Sequence, residues 1–463
     1  MKRFVKYIIL YISFVIILLS IFININFERI TPEQLLFSLN NLGGTSSGAV
    51  SNGFIFCLGG AFLITFIIFI IITILRNKIK ENSFIYKLPK YVLILSIIII
   101  LYSLGFFGYF YNNLNNSKIY EDYYVDPESV DIEFPEHKNN LIYIYVESLE
   151  MSDLDMIPNL KDIALKHINF SNNQDLGGAT YNGGSSWTSA AIMAQTSGIS
   201  VKVPLKYNWF NKKINEVPGA YSLGEVLKEN GYSNYFVMGS TASFGGRDKY
   251  LKKHGDYKIL DYEYARDNKY IDKDYFTWWG MEDSKVFEMA KKELDNISND
   301  KPFNMTILTS NTHFMDGYVE DSCKYKKSNN HYIDSFRCDD YIISEFIKWL
   351  EDQDYYDDTT IIVVGDHLTM QKGIYKNKNR AIFNMFINSL IEPNKNKERI
   401  FTNMDMYPTT LASLGARIDG DRLGLGTNLF SNKKTLSEEI GISSLRKELD
   451  KNSKYYIDKI LGG

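Results

Sequence analysis

Two short apolar segments of this sequence are each followed by residues of the types that commonly bind metal ions. Residues 141–146 run directly into Glu147, and residues 360–365 run into Asp366 and His367. Both segments are nearly uncharged and rich in β-branched or aromatic residues, which is typical of strands buried on both faces of a sheet. Ligands of open α/β sheets bind outside the carboxyl ends of the strands. Either end alone could simply terminate a strand, but the two together predict a site for one divalent cation.

A glycine-rich turn, residues 183–191, offers the nucleophile that such a cation could activate. The turn enters a predicted helix of small residues, and the positive end of a helix dipole favours phosphate oxygens. A hydroxyl beside a divalent cation has a lowered pKa and can attack phosphorus or sulfur. N-capping is the structural alternative. Composition does not choose among the four hydroxyls, which belong to Ser185, Ser186, Thr188 and Ser189.

Two further residues follow predicted strands and suit a phosphate pocket. His313 follows the strand predicted at 303–309 and could hydrogen-bond a phosphoryl oxygen or protonate a leaving alkoxide. Arg247 follows the strand predicted at 233–238, and its planar fork suits a phosphodiester. Taken one at a time, each is better explained as a surface or structural residue.

The N-terminal quarter of the 463-residue chain contains three uncharged apolar runs, at 7–27, 54–75 and 91–111. Each has about the 20 residues needed to cross the hydrocarbon layer of a membrane. A cleaved signal peptide would explain the first run only. We therefore expect three membrane-spanning helices.

Basic residues around these runs predict their orientation. Lys2, Arg3 and Lys6 precede the first run, and five more lysines and arginines lie between 76 and 90. Basic loops stay in the cytoplasm. The N-terminus is then cytoplasmic, and the chain after about residue 112 lies outside the cytoplasm.

The exported part divides into three segments. We expect a polar linker at 113–138, a domain of alternating strands and helices at 139–431, and a charged tail at 432–463. Besides the four strands already given, one is predicted at 382–387. Helices are predicted at 158–166, 187–197, 222–230, 283–295, 340–352 and 405–414.

Charge and cysteine content narrow the class of protein. The net charge of −4 argues against a nucleic-acid binder, for which a basic surface is expected. Cys323 and Cys338 are the cysteines of the exported part. In an exported domain such a pair predicts a disulfide, since two cysteines alone do not make a zinc site.

The motifs together resemble the membrane-anchored branch of the alkaline phosphatase/sulfatase superfamily. They are most similar to the phosphoglycerol transferases that modify periplasmic glucans and to the lipoteichoic acid synthases. The fold implied is an alkaline phosphatase/sulfatase-like α/β sandwich with a central, mostly parallel sheet. The matching stretches are 32–37, 140–150, 187–191, 231–236, 244–249, 279–283, 312–313, 364–368, 405–409 and 423–426.

The resemblance implies a role for individual residues. Thr188, in the Trp187–Thr188 pair, matches the family nucleophile. His313 and Arg247 match residues that bind the phosphoglycerol group, and His313 would also act in catalysis. Trp279 matches a family residue at the phosphoglycerol group less firmly. The implied metal ligands are Glu147, Thr188, Asp366 and His367, holding Mn²⁺, or alternatively Mg²⁺ or Zn²⁺.

The resemblance also implies a reaction. Thr188 would take glycerol phosphate from phosphatidylglycerol in the outer leaflet, releasing diacylglycerol, and pass it to a hydroxyl of an envelope glycan or glycerol phosphate polymer. The enzyme would be a multi-pass protein of the cell membrane. Phosphoethanolamine transfer and a catalytically silent sensor or binding module are the alternatives. Sulfate ester hydrolysis is disfavoured, because the Cys/Ser-X-Pro-X-Arg signature is absent from the sequence.

Overall fold

The computed structural model describes residues 2–28, 30–39, 48–75, 84–152, 154–205, 213–297, 301–375 and 380–462. The chain divides into two compact units. The first comprises Met1–Pro32, Ser46–Tyr111 and Met370–Lys372. The second comprises Glu33–Thr45, Asn112–Thr369 and Gly373–Gly463.

The helices and strands are numbered in chain order. The helices are α1 Lys2–Asn26, α2 Pro32–Leu39, α3 Gly48–Ile74, α4 Leu88–Ser103, α5 Phe106–Asn113, α6 Ile119–Tyr123, α7 Pro158–Ala164, α8 Thr188–Ser197, α9 Lys213–Glu216, α10 Leu223–Glu229, α11 Arg247–Lys253, α12 Tyr262–Asp267, α13 Asp283–Asn296, α14 His331–Glu351, α15 Met406–Ser413, α16 Leu436–Ile440 and α17 Ile442–Asp450. The strands are β1 Ile132–Glu133, β2 Asn140–Val146, β3 Ser233–Met238, β4 Lys258–Leu260, β5 Phe303–Leu308, β6 Thr359–Gly365, β7 Asn384–Ile387, β8 Arg417–Ile418, β9 Arg422–Leu423 and β10 Gly426–Thr427.

The described residues of the first unit contain two helices long and apolar enough to cross a membrane. They are Phe4–Asn26, with mean hydropathy 2.8, and Ile55–Ile74, with 3.0. They correspond to the first two predicted spans. The third predicted span, 91–111, is not one straight helix, because α4 and α5 meet at an angle of 70°. Gly105 lies at this break with a φ of +72°, a left-handed conformation that no regular α-helix contains. The basic residues Arg76, Lys78 and Lys80, used to predict orientation, lie outside the described residues.

The second unit is built around a six-stranded sheet with the order β4-β3-β5-β2-β6-β7. Neighbouring strands are parallel except for β7, which runs antiparallel to β6. The predicted central, mostly parallel sheet is therefore confirmed. The bounds of five of its six strands agree with the sequence predictions to within two residues, because buried apolar runs are a local signal. The three-residue edge strand β4 was not predicted.

Helices cover both faces of this sheet. Ile142 and Ile144 of β2 belong to a core cluster with residues of α13 and α14. Tyr143 projects to the opposite face, where its hydroxyl donates to Gln195 Oε1 of α8 at 2.8 Å. This alternation follows from the two-residue period of a strand. It places α8 against the central strand of the sheet.

Three regions differ from the sequence predictions. Helix α14 begins at His331 rather than 340, because the Asn330 side chain caps it by accepting from the amides of Tyr332 and Ile333. The segment predicted as a linker, 113–138, includes α6 with Ile119 and Tyr120 buried. The tail predicted at 432–463 buries Leu445, Leu449, Tyr456 and Ile460. Apolar side chains scattered among charged ones anchor both segments to the second unit.

Candidate active site

The carboxyl ends of the adjacent strands β2 and β6 bring three metal-type ligands together. Val146 is the register partner of Gly365, so Glu147 and Asp366 leave the sheet side by side. Ligand atoms of Glu147, Asp366 and His367 all lie within 4.8 Å of one another, and all three residues are buried. This is the arrangement expected from the two strand ends.

The distances inside this trio fit a bound cation. Nε2 of His367 lies 3.5 Å from Oε1 of Glu147 and 3.3 Å from Oδ2 of Asp366. Oδ2 of Asp366 is buried and has no hydrogen-bond partner among the described residues. Two carboxylates this close in a dry site need a positive charge between them. The carbonyl of Leu368 lies 2.9 Å from Nδ1 of His367 and would hold the proton there, leaving Nε2 as a lone-pair donor.

The pKa values of the trio show the same need for positive charge. Burial, together with the charge of Glu147, raises the pKa of Asp366. Burial alone would lower the pKa of His367, but the carboxylates of Asp366 and Glu147 raise it above its ordinary value. Burial also opposes ionisation of Glu147, yet the imidazoles of His367 and His313 and two hydroxyl donors keep its pKa low. The site therefore favours a cation or proton between its acids.

One of the four hydroxyls left open by composition faces this trio. Oγ1 of Thr188 donates to Oε2 of Glu147 at 3.0 Å and lies 3.4 Å from Nε2 of His367. Ser185 and Ser186 instead donate to the backbone carbonyls of Asn182, at 3.3 Å, and Gly183, at 3.0 Å. Thr188 is the first residue of α8, where the helix dipole favours negative charge.

His313 and Trp279 form one wall near the trio. The His313 ring packs edge-on against Trp279, with 4.6 Å between ring centroids. Nδ1 of His313 is engaged by the carbonyl of Phe314, so Nε2 is the nitrogen free to exchange a proton. Burial lowers the pKa of His313, which makes its protonated form a stronger acid. The indole nitrogen of Trp279 is buried, finds no hydrogen-bond partner in the described part of the chain and can donate to a ligand.

Arg247 continues this wall from the first turn of α11. Its Nη2 donates to Oγ of Ser240 at 2.9 Å and to the carbonyl of Thr241 at 3.2 Å. Its Nε is buried and has no hydrogen-bond partner within the described ranges. Burial lowers the pKa of Arg247 to about 10, opposed by the nearby charges of Glu147 and other acids. The guanidinium remains charged at neutral pH and keeps a donor for an anion.

Sequence reasoning missed several residues that support the site. The ring of Phe244 lies between Arg247, 5.5 Å away, and Trp279, 5.3 Å away. The amide of Ser148 donates to Oδ1 of Asp366 at 2.8 Å, and its hydroxyl donates to Oε1 of Glu147 at 2.8 Å. The Ser148 backbone has a φ of +57°, which turns the chain at the end of β2. The role of Ser148 follows from this turn, which the composition of the sequence does not reveal.

The predicted cysteine pair lies beyond His313 in the chain. Cys323 and Cys338 form a disulfide with 5.2 Å between Cα atoms. It joins the segment after His313 to α14. The segment carrying His313 is also held by Asp283, whose carboxylate accepts from the amides of Ser310 at 2.8 Å and Asn311 at 2.7 Å.

The fold and the site define a class of protein. Residues 139–416 match the sequence profile of the family described as Sulfatase. The chain therefore belongs to the sulfatase family. This agrees with the resemblance drawn from its motifs.

Comparison with individual proteins gives more detail than the family profile. The chain is 33% identical over 332 residues to phosphoglycerol transferase I of Salmonella choleraesuis (strain SC-B67), an alignment covering 68% of this chain. The aligned part is 42% of that relative's length. A lipoteichoic acid synthase of Listeria monocytogenes has a similar structure, with TM-score 0.51, 18% identity and coverage of 68% of this chain and 82% of that one. The lipooligosaccharide phosphoethanolamine transferase A of Neisseria meningitidis gives TM-score 0.52 and 14% identity, covering 90% and 84%. The two structures support the fold.

Proposed function

We propose that this chain is a metal-dependent phosphoglycerol transferase that moves glycerol phosphate from phosphatidylglycerol to an envelope glycan. The observation that carries the proposal is the contact of Thr188 Oγ1 with both Glu147 and His367. The relative named phosphoglycerol transferase I supports the cargo. A divalent cation held by Glu147, Asp366 and His367 would supply Lewis-acid polarisation and lower the pKa of the Thr188 hydroxyl.

In the first step, Thr188 Oγ1 attacks the phosphorus of the donor in line. Its proton passes to Oε2 of Glu147, which already accepts it at 3.0 Å. The phosphorus–oxygen bond to diacylglycerol breaks, and Nε2 of protonated His313 gives the leaving oxygen its proton. The buried Nε of Arg247, which no described residue engages in a hydrogen bond, binds a non-bridging oxygen as charge develops there. The product is a phosphoglyceryl group on Thr188.

In the second step, a hydroxyl of the acceptor attacks the same phosphorus. Nε2 of His313, neutral after the first step, takes the acceptor's proton. The bond to Oγ1 of Thr188 breaks, and Oγ1 recovers its proton from Glu147. The half-buried ring of Trp279 would orient the glycerol group, whose hydroxyls the indole nitrogen can bind.

The two apolar helices of the first unit support a membrane location. We propose that the second unit is extracytoplasmic, as the basic residues near the N-terminus favour. The donor would then be drawn from the outer leaflet. Tethering an enzyme to the membrane that holds its lipid substrate raises their effective concentration.

The test is diacylglycerol release by the purified full chain in vesicles. Vesicles containing labelled phosphatidylglycerol, with Mn²⁺ present, should yield diacylglycerol and a labelled protein. Thr188→Ala should abolish both, whereas Ser344→Ala should retain both, since the Ser344 hydroxyl only donates to the carbonyl of Tyr341 within α14. Undiminished release by Thr188→Ala would contradict the proposed nucleophile.

The same assay separates the alternative activities. Labelled phosphatidylethanolamine should give no diacylglycerol if phosphoglycerol is the cargo. Release from phosphatidylethanolamine alone would identify a phosphoethanolamine transferase instead. Absence of release from both lipids, together with absence of Mn²⁺ binding, would indicate a silent sensor or binding module.

A further inference from the structure

Helix α2 lies in the sequence between the two long apolar helices, yet from Glu33 onward it belongs to the second unit. Its residues Leu36 and Phe37 are buried, with 7% and 1% of their surface exposed. An eight-residue helix cannot form stably alone in water, so packing must hold it. The residues that pack against the buried face of α2 indicate the role of this helix.

Phe37 packs against the residue that precedes the proposed nucleophile. Its ring centroid lies 5.5 Å from that of Trp187, and the planes are tilted by 56°. Trp187 is the N-cap residue of α8, and its side chain makes no capping hydrogen bond. The conformation of Trp187 is therefore fixed by packing. Phe37 supplies part of that packing.

Glu33, one helical turn before Phe37, makes a second contact. Its Oε1 lies 2.9 Å from Nζ of Lys202, and the two side chains are 14% and 6% exposed. The amide of Val201, next to Lys202, donates to the carbonyl of Gly184 at 2.9 Å. Lys202 therefore sits beside the turn that enters α8. Residues four apart share a helix face, so one face of α2 carries both contacts.

The Lys202 side chain is not held by Glu33 alone. Its Nζ also donates to the carbonyl of Asp450 at 2.7 Å, and its amide donates to the hydroxyl of Tyr456 at 3.1 Å. Lys202 thus connects α2 to the C-terminal segment. These contacts make the ion pair part of a fixed framework around the turn.

We infer that α2 positions the nucleophile turn, residues 183–188, with Phe37 and Glu33 as positioning residues for Thr188. The inference rests on the proposed function in taking Thr188 as the nucleophile. Displacing Trp187 shifts the backbone of Thr188 and lengthens its hydrogen bond to Glu147. A small misplacement of a reacting group lowers the rate of the chemical step more than it changes substrate binding.

The test measures diacylglycerol release by the full chain in phosphatidylglycerol vesicles with Mn²⁺. Phe37→Ala should lower kcat at least about tenfold, with KM changed less than about twofold. Phe37→Leu, which restores apolar bulk, should recover most of the loss. Leu39→Ala is the matched control on the same helix, because Leu39 is 51% exposed. It should retain wild-type kcat, and all three variants should bind Mn²⁺ as the wild type does.

The ion pair provides a second measurement that does not depend on Phe37. Glu33→Lys and Lys202→Glu should each lower kcat. The double exchange should recover part of the loss, because it restores the ion pair with opposite polarity but not the hydrogen bond of Lys202 to the carbonyl of Asp450. Wild-type kcat in Phe37→Ala and in both single exchanges would overturn the inference, provided that Thr188→Ala is inactive. An active Thr188→Ala variant would instead overturn the proposed function, and this inference with it.

Discussion

A β-carbon on Gly365 would lie 2.0 Å from the carbonyl oxygen of Leu149. Gly365 is the last residue of β6, and Leu149 follows Glu147 and Ser148. The turn that carries Glu147 therefore crosses directly over the end of the strand that carries Asp366. Close approach of the two backbones is what brings both carboxylates to one point.

Gly365→Ala should therefore disrupt the metal site without touching any of its ligands. The methyl group must displace the backbone at Leu149, since a carbonyl oxygen cannot rotate away as a side chain can. We expect Mn²⁺ affinity to fall at least about tenfold, which is about 1.4 kcal/mol. Isothermal titration calorimetry measures it. Gly108→Ala is the control, because no described residue outside its own helical turn lies within 4 Å of a β-carbon placed there. Unchanged affinity in Gly365→Ala would mean that the turn is not fixed by this approach.

Removal of one carboxylate should weaken metal binding directly. Glu147→Gln keeps the shape of the side chain but removes a charge, so we expect Mn²⁺ affinity to fall at least about tenfold. A ligand at 100 times its dissociation constant stabilises a fold by about 2.7 kcal/mol. Mn²⁺ should therefore raise the melting temperature of the wild type clearly and that of Glu147→Gln much less.

Asp358→Asn serves as the control for this measurement. Asp358 pairs with His137 on an exposed surface, where its side chain is 60% accessible. Mn²⁺ should raise the melting temperature of Asp358→Asn as much as that of the wild type. Equal stabilisation of wild type and Glu147→Gln would contradict the assignment of Glu147 as a ligand.

How much of this site the sequence could predict depends on the range of the interactions. Glu147 and Asp366 were predictable because each follows a buried apolar strand, which is a local pattern. That Val146 pairs with Gly365 is a long-range fact, although parallel strands meeting at one edge made it a reasonable expectation. Thr188 could not be separated from its three neighbouring hydroxyls by composition. The resemblance selected it, and its contact with Glu147 is consistent with that choice.

The contacts of Phe37 and Phe244 could not be predicted from the sequence for a different reason. Each is an aromatic residue in a short segment, and an aromatic residue fits a core, a membrane interface or a binding site equally well. Their partners, Trp187 and Trp279, lie far away in the sequence. The bend at Gly105 was also missed, because hydropathy alone does not show where a helix breaks.

Substitution of Arg247 should reveal whether the fork geometry of its guanidinium matters. Arg247→Lys keeps the charge but loses Nε and the planar arrangement of donors. We expect kcat/KM for phosphatidylglycerol to fall about 10- to 100-fold, or about 1.4–2.7 kcal/mol of transition-state stabilisation. Arg417→Lys is the matched control, since the Arg417 side chain is 80% exposed and pairs with Glu133. Full activity of Arg247→Lys would show that a point charge suffices.

The acids beneath the His313 segment predict a pH-dependent stability. Burial, followed by the charge of Asp283, raises the pKa of Asp339, and burial raises that of Asp283, with Glu320 adding to both. Neither oxygen of Asp339 has a hydrogen-bond partner among the described residues. A proton shared between Asp339 and Asp283 would supply the missing donor. The folded state thus holds protons that the unfolded chain releases above its ordinary pKa of 3.8.

Stability from this pair is therefore complete below about pH 4 and is lost progressively as the pH rises towards the elevated folded pKa values. Asp339→Asn should remove this loss. The side-chain amide of the variant donates a hydrogen bond to Asp283 at any pH, whereas the Asp339 carboxylate must first be protonated. We expect the variant to be about 1–3 kcal/mol more stable than wild type at pH 8, because a buried polar group left without a hydrogen-bond partner costs about that much. Thermal unfolding of the full chain in detergent at pH 5, 6.5 and 8 measures the difference. Parallel curves for wild type and Asp339→Asn would show that the two acids do not share a proton.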